Sequence, residues 1–365
     1  MTSLGKLAGF GLVVVAAAQV SASAATQPRR SHPPVPHHKP VAPPAVPAPA
    51  SLSQRIDQLG RNFDGRVGIA VRSIDEGWET GWKDQELYPQ QSVSKLWVAI
   101  TALDAADRGR VGLDDKVTLT RADLTVFHQP IRSLILDGGY TTTLDDLMFK
   151  AITTSDNTAN DKVMRSVGGP AAVRAMIARK HLGAIRFANG ERMLQSKIAG
   201  LSWKPSYSIG NAFFDARDKL PMSARRAAFN RYIASPYDGA APSAIVAALA
   251  RLKRGELLSR ASTDRLLDIM AHTHTGPNRL RGGLQPGWTL SHKTGTGQEL
   301  DGIQAGYNDI GILTAPDGKS YAVAVMIKKT STPLPVRMTL MNNVVRAVIE
   351  QHDTADGNSY ASRRR

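Results

Sequence analysis

The sequence predicts an α+β fold with two lobes, in which helices flank an antiparallel sheet and a second region is entirely helical. Three observations lead to this prediction. A helix and a two-stranded hairpin open the folded part, a long helical stretch follows, and three apolar strands and a final helix close it. Terminal helices packed on an antiparallel sheet, with a helical region inserted between them, give a protein with two lobes and a cleft at their boundary.

The first half of the folded part is predicted to contain a helix, a hairpin and a series of helices. Apolar residues in "SLSQRIDQLGRNF", residues 51–63, have helical spacing. The segments "GRVGIAVRSID" and "WETGWKDQ" alternate as strands do, on either side of a turn at residues 75–77. The next helix begins at Ser94 and is closed by Gly109, and residues 113–180 are mostly helical in pattern.

The second half is predicted to be irregular at first and then regular. Residues 183–240 show no clear periodicity. Helices are predicted in "APSAIVAALARLKRG" and "STDRLLDIMAH", and apolar strands in "GWTLSHKTGTG", "AGYNDIGILTA" and "KSYAVAVMIKK". The amphipathic segment "MTLMNNVVRAVIEQH" predicts a closing helix. We therefore assign the α/β lobe to residues 51–91 and 242–351, and the α lobe to residues 92–241.

Both ends of the chain are predicted to lie outside the folded domain. Residues 1–24 have the basic start, the short apolar run "LAGFGLVVVAAA" and the small residues of a secretory signal peptide; an uncleaved membrane anchor is the alternative. Residues 25–50 are proline-rich and predict a solvated linker, and residues 352–365 predict a disordered tail. We expect a periplasmic or secreted protein with no stable membrane span after the signal is removed.

The composition narrows the possible classes of protein. The 365 residues include no cysteine, so the fold depends on its core without disulfide bonds. The net charge of +15 is spread along the chain, and no basic run alternates with aromatic residues, which argues against nucleic-acid binding. His272 and His274 lack the spacing of a zinc site. We expect no metal or cofactor, and a monomer.

A serine and a lysine three residues apart, Ser92 and Lys95 in "QQSVSKLWVAI", lie at the start of an apolar helix. The serine hydroxyl would lie at the helix N-terminus, where free N–H groups favour negative charge, with the lysine on the same face. A buried lysine can lose its proton and act as a base. Ser3 and Lys6 have the same spacing within the predicted signal peptide, so the pair alone does not establish a site.

Two further motifs give this pair a context. "TTSDNTAND" contains S-D-N at residues 155–157, and "SHKTGTGQ" contains K-T-G at residues 293–295. Either motif alone could be a cap, a turn or a strand end. The ordered set S-x-x-K, S-D-N and K-T-G is the pattern of class A β-lactamases and penicillin-binding proteins, and the chain resembles a class A β-lactamase. Residues 235–249 and 276–288 resemble family segments as well, so the resemblance covers most of the chain from 51 to 350.

The resemblance implies a role for each matching residue. Ser92 would attack the lactam carbonyl with Lys95 as the candidate base, and the N–H groups of Ser92 and Thr296 would form an oxyanion hole. Ser155, beside Lys293, would pass a proton to the leaving nitrogen. Asn157 would hold the side-chain amide of the substrate, and Lys293, Thr294 and Thr296 its carboxylate. The substrate-binding residues implied in this way are Asn157, Thr294, Gly295, Thr296 and Arg279.

Two of the implied residues have alternatives. In "GERMLQS", Glu191 stands where the family has an Ω-loop glutamate that activates the deacylating water; an exposed loop glutamate is the alternative. Around it, Gln195 replaces the usual asparagine, and Asn189 replaces an arginine that closes the loop in the family. Arg279 in "PNRLRGG" matches a carboxylate-binding arginine of some class A members; a surface arginine is the alternative. Residues 197–232 are longer than the family segment, as in a lid or a binding loop.

Three functions remain compatible with these residues. The first is a serine β-lactamase that opens the amide bond of a small-molecule β-lactam through an acyl-enzyme on Ser92 and releases it with water activated by Glu191. The second is a D-alanyl-D-alanine peptidase or a related penicillin-binding-type hydrolase acting on peptidoglycan fragments or esters. The third is a sensor that binds β-lactams without turnover.

Overall fold

A computed structural model of the chain describes residues 46–355. The predicted signal peptide at 1–24 and residues 25–45 of the predicted linker lie outside this range. The first helix begins at Ala50, the last residue assigned to the linker, and the final helix ends at Ala355. The domain boundary placed at residue 351 is therefore wrong: residues 352–355 of the predicted tail are helical, because the buried His352 packs them against the core.

The elements have the following bounds. The helices are α1 (Ala50–Asn62), α2 (Lys95–Asp107), α3 (Arg132–Leu136), α4 (Leu144–Thr153), α5 (Asn157–Ser166), α6 (Gly169–Arg179), α7 (Glu191–Ile198), α8 (Ala212–Asp218), α9 (Met222–Ala234), α10 (Pro242–Lys253), α11 (Arg260–Ala271) and α12 (Leu334–Ala355). The strands are β1 (Arg66–Ser73), β2 (Glu79–Trp82), β3 (Tyr88–Pro89), β4 (Lys116–Leu119), β5 (Tyr140–Thr143), β6 (Gly239–Ala240), β7 (Thr289–Thr296), β8 (Glu299–Leu300), β9 (Ile303–Thr314) and β10 (Ser320–Thr330). Short 3₁₀ helices lie at Gln91–Ser94, Arg121–Asp123, Pro205–Ser208 and Leu280–Gly283.

The main sheet has the strand order β2-β1-β10-β9-β7, with β8 paired to β9, and all its pairs are antiparallel. On one face, Val71 and Val323 belong to a core cluster with α1 and α12. On the other face, the small residues Ala70 and Ala324 allow α10 to pack closely. Because helices cover both faces, β10 is buried along most of its length. The strand β7 lies at the edge of the sheet.

The second lobe is built around α2, which is buried along its first ten residues and contacts α4, α5 and α6. A helix that is apolar all round belongs inside a bundle, and the sequence "KLWVAITALDAAD" fits this position. The lobe also contains the antiparallel hairpin of β4 and β5, so the prediction of an all-α lobe is corrected there. The α+β fold with two lobes is otherwise as predicted.

The region without assigned periodicity contains three helices, α7, α8 and α9. Two small core clusters hold it together. The first joins Leu194 and Ile198 of α7 to Phe229 and Tyr232 of α9. The second is the insert cluster, which we define as Val126, Ala199, Tyr207 and Phe213 with the half-buried residues packed on them. Within residues 46–355, no helix is both long and apolar enough to cross a bilayer.

Candidate active site

Ser92 lies in the 3₁₀ helix Gln91–Ser94, which leads directly into α2. The preceding residue, Gln91, has a φ of 53°, a left-handed conformation that non-glycine residues rarely adopt. Buried contacts hold it there: its N–H donates to the Asp238 carboxylate at 2.7 Å, and its side-chain Nε2 donates to the Tyr232 hydroxyl at 2.5 Å. This strained turn fixes the direction in which the Ser92 hydroxyl points.

The edge strand β7 lies against the turn before Ser92. A Cβ added to Gly295 would come within 2.3 Å of the Gln90 carbonyl oxygen, so only glycine allows this approach. From the neighbouring strand β9, the Asn308 Nδ2 donates to the carbonyl oxygens of Pro89 and Gln90 at 2.7 and 3.0 Å. The K-T-G strand and the turn before Ser92 are thereby joined into one wall of the cleft.

Lys95 brings the motif residues together. Its Nζ lies 3.0 Å from the Ser92 Oγ, 2.7 Å from the Ser155 carbonyl oxygen and 2.6 Å from the Asn157 Oδ1. The Glu191 Oε1 is 3.5 Å away. Burial of the side chain lowers the pKa of Lys95, against the opposing effect of Glu191 and other carboxylates. A neutral amine at this position can accept the proton of the Ser92 hydroxyl.

Ser155 lies between two buried lysines, with its Oγ 3.0 Å from the Lys293 Nζ and 3.2 Å from the Lys95 Nζ. Burial, and then the charge of Lys95, lower the pKa of Lys293 well below its usual value. Ser155 has a φ of 61°, and Asp156 caps α5 by accepting from the Ala159 N–H at 2.8 Å. The S-D-N motif is therefore a helix cap and a part of the site at once.

Glu191 is 3% exposed, which rules out the alternative of an exposed loop glutamate. It begins α7, and its N–H donates to the Asp161 Oδ1 at 2.9 Å. Its Oε2 accepts from the Gln195 Nε2 at 3.2 Å. Asn189, where the family arginine is missing, accepts instead from Arg174 at 3.1 Å. The carboxylate thus faces Lys95 and Ser92 across the site.

Arg279 is 8% exposed, so the alternative of a surface arginine is wrong. Its Nη1 donates to the carbonyl oxygens of Gly295 and Asn308 at 3.1 and 2.7 Å, and its Nη2 donates to the Thr296 Oγ1 at 2.6 Å. The guanidinium lies 3.9 Å from the centre of the Tyr307 ring. This arginine makes the K-T-G end of the cleft positive and suited to a carboxylate.

These residues open on a cleft of about 300 Å³ between the lobes. Of the predicted residues, Ser92, Asn157 and Thr296 line it, while the two lysines lie buried beneath. Gln195, noted beside Glu191 in the sequence, and Gly297, which follows the K-T-G motif, line it as well. The sequence analysis did not identify the other lining residues, which are Phe127, His128, Arg217, Gln298 and Glu299. The aromatic and charged residues of "AFFDARD" were the available signal for Arg217. No comparable signal pointed to Asp161.

The fold and this site define a class of protein: the serine hydrolases in which a serine hydroxyl, a buried lysine and a facing carboxylate lie together at a lobe boundary. Comparison with known proteins agrees. The family model described as "Beta-lactamase enzyme family" matches residues 51–352. The chain therefore belongs to the β-lactamase enzyme family, and the prediction of a class A serine β-lactamase is confirmed at the level of family and enzyme class.

Individual relatives and solved structures show the same likeness. The chain is 24% identical to β-lactamase VEB-1 of Pseudomonas aeruginosa over 81% of its length and 88% of the relative. It is 28% identical to the extended-spectrum β-lactamase PER-1 of the same organism over 77% of its length and 80% of the relative. A β-lactamase structure from Chitinophaga pinensis matches with a TM-score of 0.68 and 27% identity, covering 82% of this chain and 99% of the other. The structure of the TLA-3 extended-spectrum β-lactamase matches with a TM-score of 0.68 and 26% identity, covering 83% of this chain and 98% of the other.

Proposed function

We propose that this protein hydrolyses β-lactams through a covalent acyl-enzyme on Ser92, which water activated by Glu191 then cleaves. One observation carries the proposal. The Ser92 Oγ and the Glu191 carboxylate both contact the Lys95 Nζ, at 3.0 and 3.5 Å, so the nucleophile and a general base share one buried partner. The predicted signal peptide supports action in the periplasm or outside the cell.

In the acylation step, Lys95 removes the proton of Ser92, whose oxygen attacks the lactam carbonyl carbon. The backbone N–H groups of Ser92 and Thr296 stabilise the oxyanion. When the C–N bond breaks, the nitrogen takes a proton from Ser155, which recovers one from the lysines on either side of it. The short contacts of Ser155 with Lys95 and Lys293 support this relay.

In the deacylation step, Glu191 removes a proton from a water molecule that attacks the ester carbonyl. The ester C–O bond breaks, and the proton taken up by Glu191 passes through Lys95 to the Ser92 oxygen, which restores the carboxylate, the neutral amine and the hydroxyl. Gln195 supports this step because its Nε2 contacts the Glu191 carboxylate and the Gln91 Oε1, which fixes the carboxylate beside the nucleophile turn. The longer side chain that replaces the usual asparagine thus still reaches the base.

Substrate binding uses the two ends of the cleft. Asn157 donates one N–H of its amide to the Val126 carbonyl oxygen at 2.9 Å and accepts from Lys95, which leaves its second N–H for the side-chain carbonyl of the substrate. At the other end, Lys293, Thr294, Thr296 and Arg279 take the ring carboxylate. Fragments of peptidoglycan would present a carboxylate and an amide in the same arrangement.

Turnover of a chromogenic cephalosporin tests the proposal. We expect repeated hydrolysis by the wild-type protein and none by Ser92→Ala, because the nucleophile is lost. A single stoichiometric burst without further turnover would contradict β-lactam hydrolysis and favour a sensor. Release of D-alanine from a muropeptide with slow β-lactam turnover would favour a peptidase instead.

A variant at Glu191 tests the role of the base. Glu191→Gln keeps the shape of the side chain but cannot accept a proton from water, so we expect the acyl-enzyme to accumulate and to be visible by mass spectrometry. The exposed Glu350→Gln on α12 is the control and should turn over normally. Loss of acylation in Glu191→Gln, rather than loss of deacylation, would assign Glu191 a different role.

A further inference from the structure

The long segment after Glu191 contributes a cation to the cleft. Arg217, near the end of α8, lines the same cavity as Ser92 and Asn157. Of the ten residues that line this cavity, one is an arginine, and that is Arg217, whose side chain is 25% exposed. No motif described above accounts for a guanidinium at this wall.

The position of Arg217 is fixed by the insert cluster. Phe213, one turn earlier on α8, is 2% exposed. Its ring meets Phe127 edge-on, with the ring centroids 5.0 Å apart, and Tyr207 at 5.8 Å. Phe127 itself lines the cleft. Because Phe213 anchors the helix against the opposite loop, Arg217 is held at the mouth of the cleft rather than swinging freely in solvent.

The charge of Arg217 is only partly balanced by its neighbours. Its Nε donates to the Asp218 Oδ1 at 3.2 Å, and Arg225 contacts the same oxygen at 3.3 Å, so two guanidinium groups share one carboxylate. Among residues 46–355, the Nε bond to Asp218 is the one hydrogen bond that the Arg217 side chain makes. Its terminal N–H groups have no protein acceptor within that range. Glu299 is the acidic residue among those that line the cleft.

We propose that Arg217 determines specificity by binding a carboxylate on the acyl side chain of the β-lactam. The inference rests on the proposed function, which places the ring carboxylate at Lys293 and the side-chain amide at Asn157. The rest of the acyl group then extends along the walls formed by Phe127 and Arg217. A planar guanidinium with free terminal N–H groups pairs with a carboxylate through two parallel hydrogen bonds. The favoured substrates are β-lactams that carry a second anion in this side chain.

Benzylpenicillin and carbenicillin provide the test, because they differ by one side-chain carboxylate. In Arg217→Gln, we expect the ratio of kcat/KM for carbenicillin to that for benzylpenicillin to fall about five- to tenfold, mainly through KM. Arg217→Lys should retain part of the ratio, since it keeps the charge but loses the planar fork. Arg225→Gln is the matched control: it shares Asp218 but does not line the cleft, and it should leave the ratio unchanged.

Salt gives a second measurement. Added NaCl should lower the carbenicillin ratio of the wild-type protein and leave that of Arg217→Gln unchanged, because an accessible ion pair is screened. An equal loss of kcat/KM for both penicillins in Arg217→Gln would show a structural role and overturn the inference. The same fall of the ratio in Arg225→Gln would do so too. If the wild-type protein hydrolyses neither these penicillins nor the chromogenic cephalosporin, the proposed function itself fails. Turnover of the cephalosporin but of neither penicillin would overturn the inference alone, since carbenicillin would then not be a favoured substrate. If Arg217→Gln hydrolyses both penicillins with the wild-type ratio of kcat/KM, the specificity role of Arg217 is refuted and the proposed function stands.

Discussion

At the scale of single residues, Lys95 concentrates the chemistry of the site. Its side chain is fully buried, and its Nζ contacts Ser92, Ser155, Asn157 and Glu191. Burial lowers the pKa of Lys95 and so shifts the balance towards the neutral amine. The contacts that suit Lys95 to the proposed role of base also position the residues around it.

Lys95 variants separate these two roles. Lys95→Arg keeps a cation but cannot lose its proton, whereas Lys95→Ala removes both the base and the contacts. We expect both variants to acylate with a labelled penicillin about 10²- to 10⁴-fold more slowly than the wild-type protein, the usual range for loss of a general base. Stopped-flow or gel-based acylation rates measure this. If Lys95→Arg acylated at the wild-type rate, the lysine would not act as the base.

At the scale of elements, the start of α7 determines where Glu191 points. The Asp161 carboxylate of α5 accepts from the Glu191 N–H, at the N-terminus of α7 where an anion is favoured. Burial, and then Glu191, raise the pKa of Asp161 to about 6. One buried carboxylate thus joins the S-D-N helix to the helix of the proposed base.

The raised pKa of Asp161 makes stability depend on pH. The native carboxyl holds its proton up to about pH 6, while the unfolded one loses it near the ordinary aspartate pKa of 3.8. Its contribution is therefore fully present below about pH 4 and is lost as the pH rises through 6. From pH 4 to 7, the free energy of unfolding of the wild-type protein should fall relative to Asp161→Asn by up to about 3 kcal/mol.

Urea unfolding at a series of pH values measures this difference. The exposed Asp137→Asn controls for the loss of a carboxylate as such, and its profile should follow that of the wild-type protein. Parallel profiles for the wild-type protein and Asp161→Asn would show that Asp161 does not titrate differently in the native state.

The elements that the sequence predicted are those with strong periodicity or a distinctive motif. The strands β7, β9 and β10 consist of β-branched and apolar runs, α2 is apolar all round, and α10 and α12 have apolar faces. The helices α8 and α9 were missed for physical reasons. The first is seven residues long, and the second carries polar residues around most of its circumference and buries little beyond Phe229 and Tyr232. Tertiary packing, rather than local pattern, decides such helices.

The candidate site divides in the same way. The residues of the three motifs, Glu191 and Arg279 could be found because their order along the chain is distinctive. The lining residues Phe127 and Arg217 could not be found in this way, because they reach the cleft only through the contact between the insert cluster and the loop at 124–131. The strained φ values of Gln91 and Ser155 are also invisible in the sequence, since neither residue type favours that conformation.

At the scale of the whole molecule, the two ends of the domain pack against each other. The helices α1 and α12 cover one face of the sheet together, and the Ser51 hydroxyl donates to the Gln351 side chain at 2.7 Å. Beyond that point, the His352 ring meets Trp288 edge-on at 5.1 Å, and its Nδ1 lies 2.9 Å from the Tyr321 hydroxyl. The last turn of α12 is therefore part of the core.

Two truncated proteins test this boundary. A chain ending at Gln351 loses His352 and leaves a gap beside Trp288 and Tyr321, whereas a chain ending at Ala355 keeps all of these contacts. We expect the shorter chain to be less stable by about 1–3 kcal/mol, from lost packing and a lost hydrogen bond. Urea unfolding compares the two, and equal midpoints would place the end of the domain at residue 351.

The residues of the insert cluster pack against one another and against one loop of the α lobe. They form a cluster separate from the two large cores on either side of the sheet. We therefore expect substitutions on the cleft-facing side of α8 to leave the packing of these two cores unchanged. Substitutions at this wall can therefore change the shape and charge of the cleft while both large cores stay as they are.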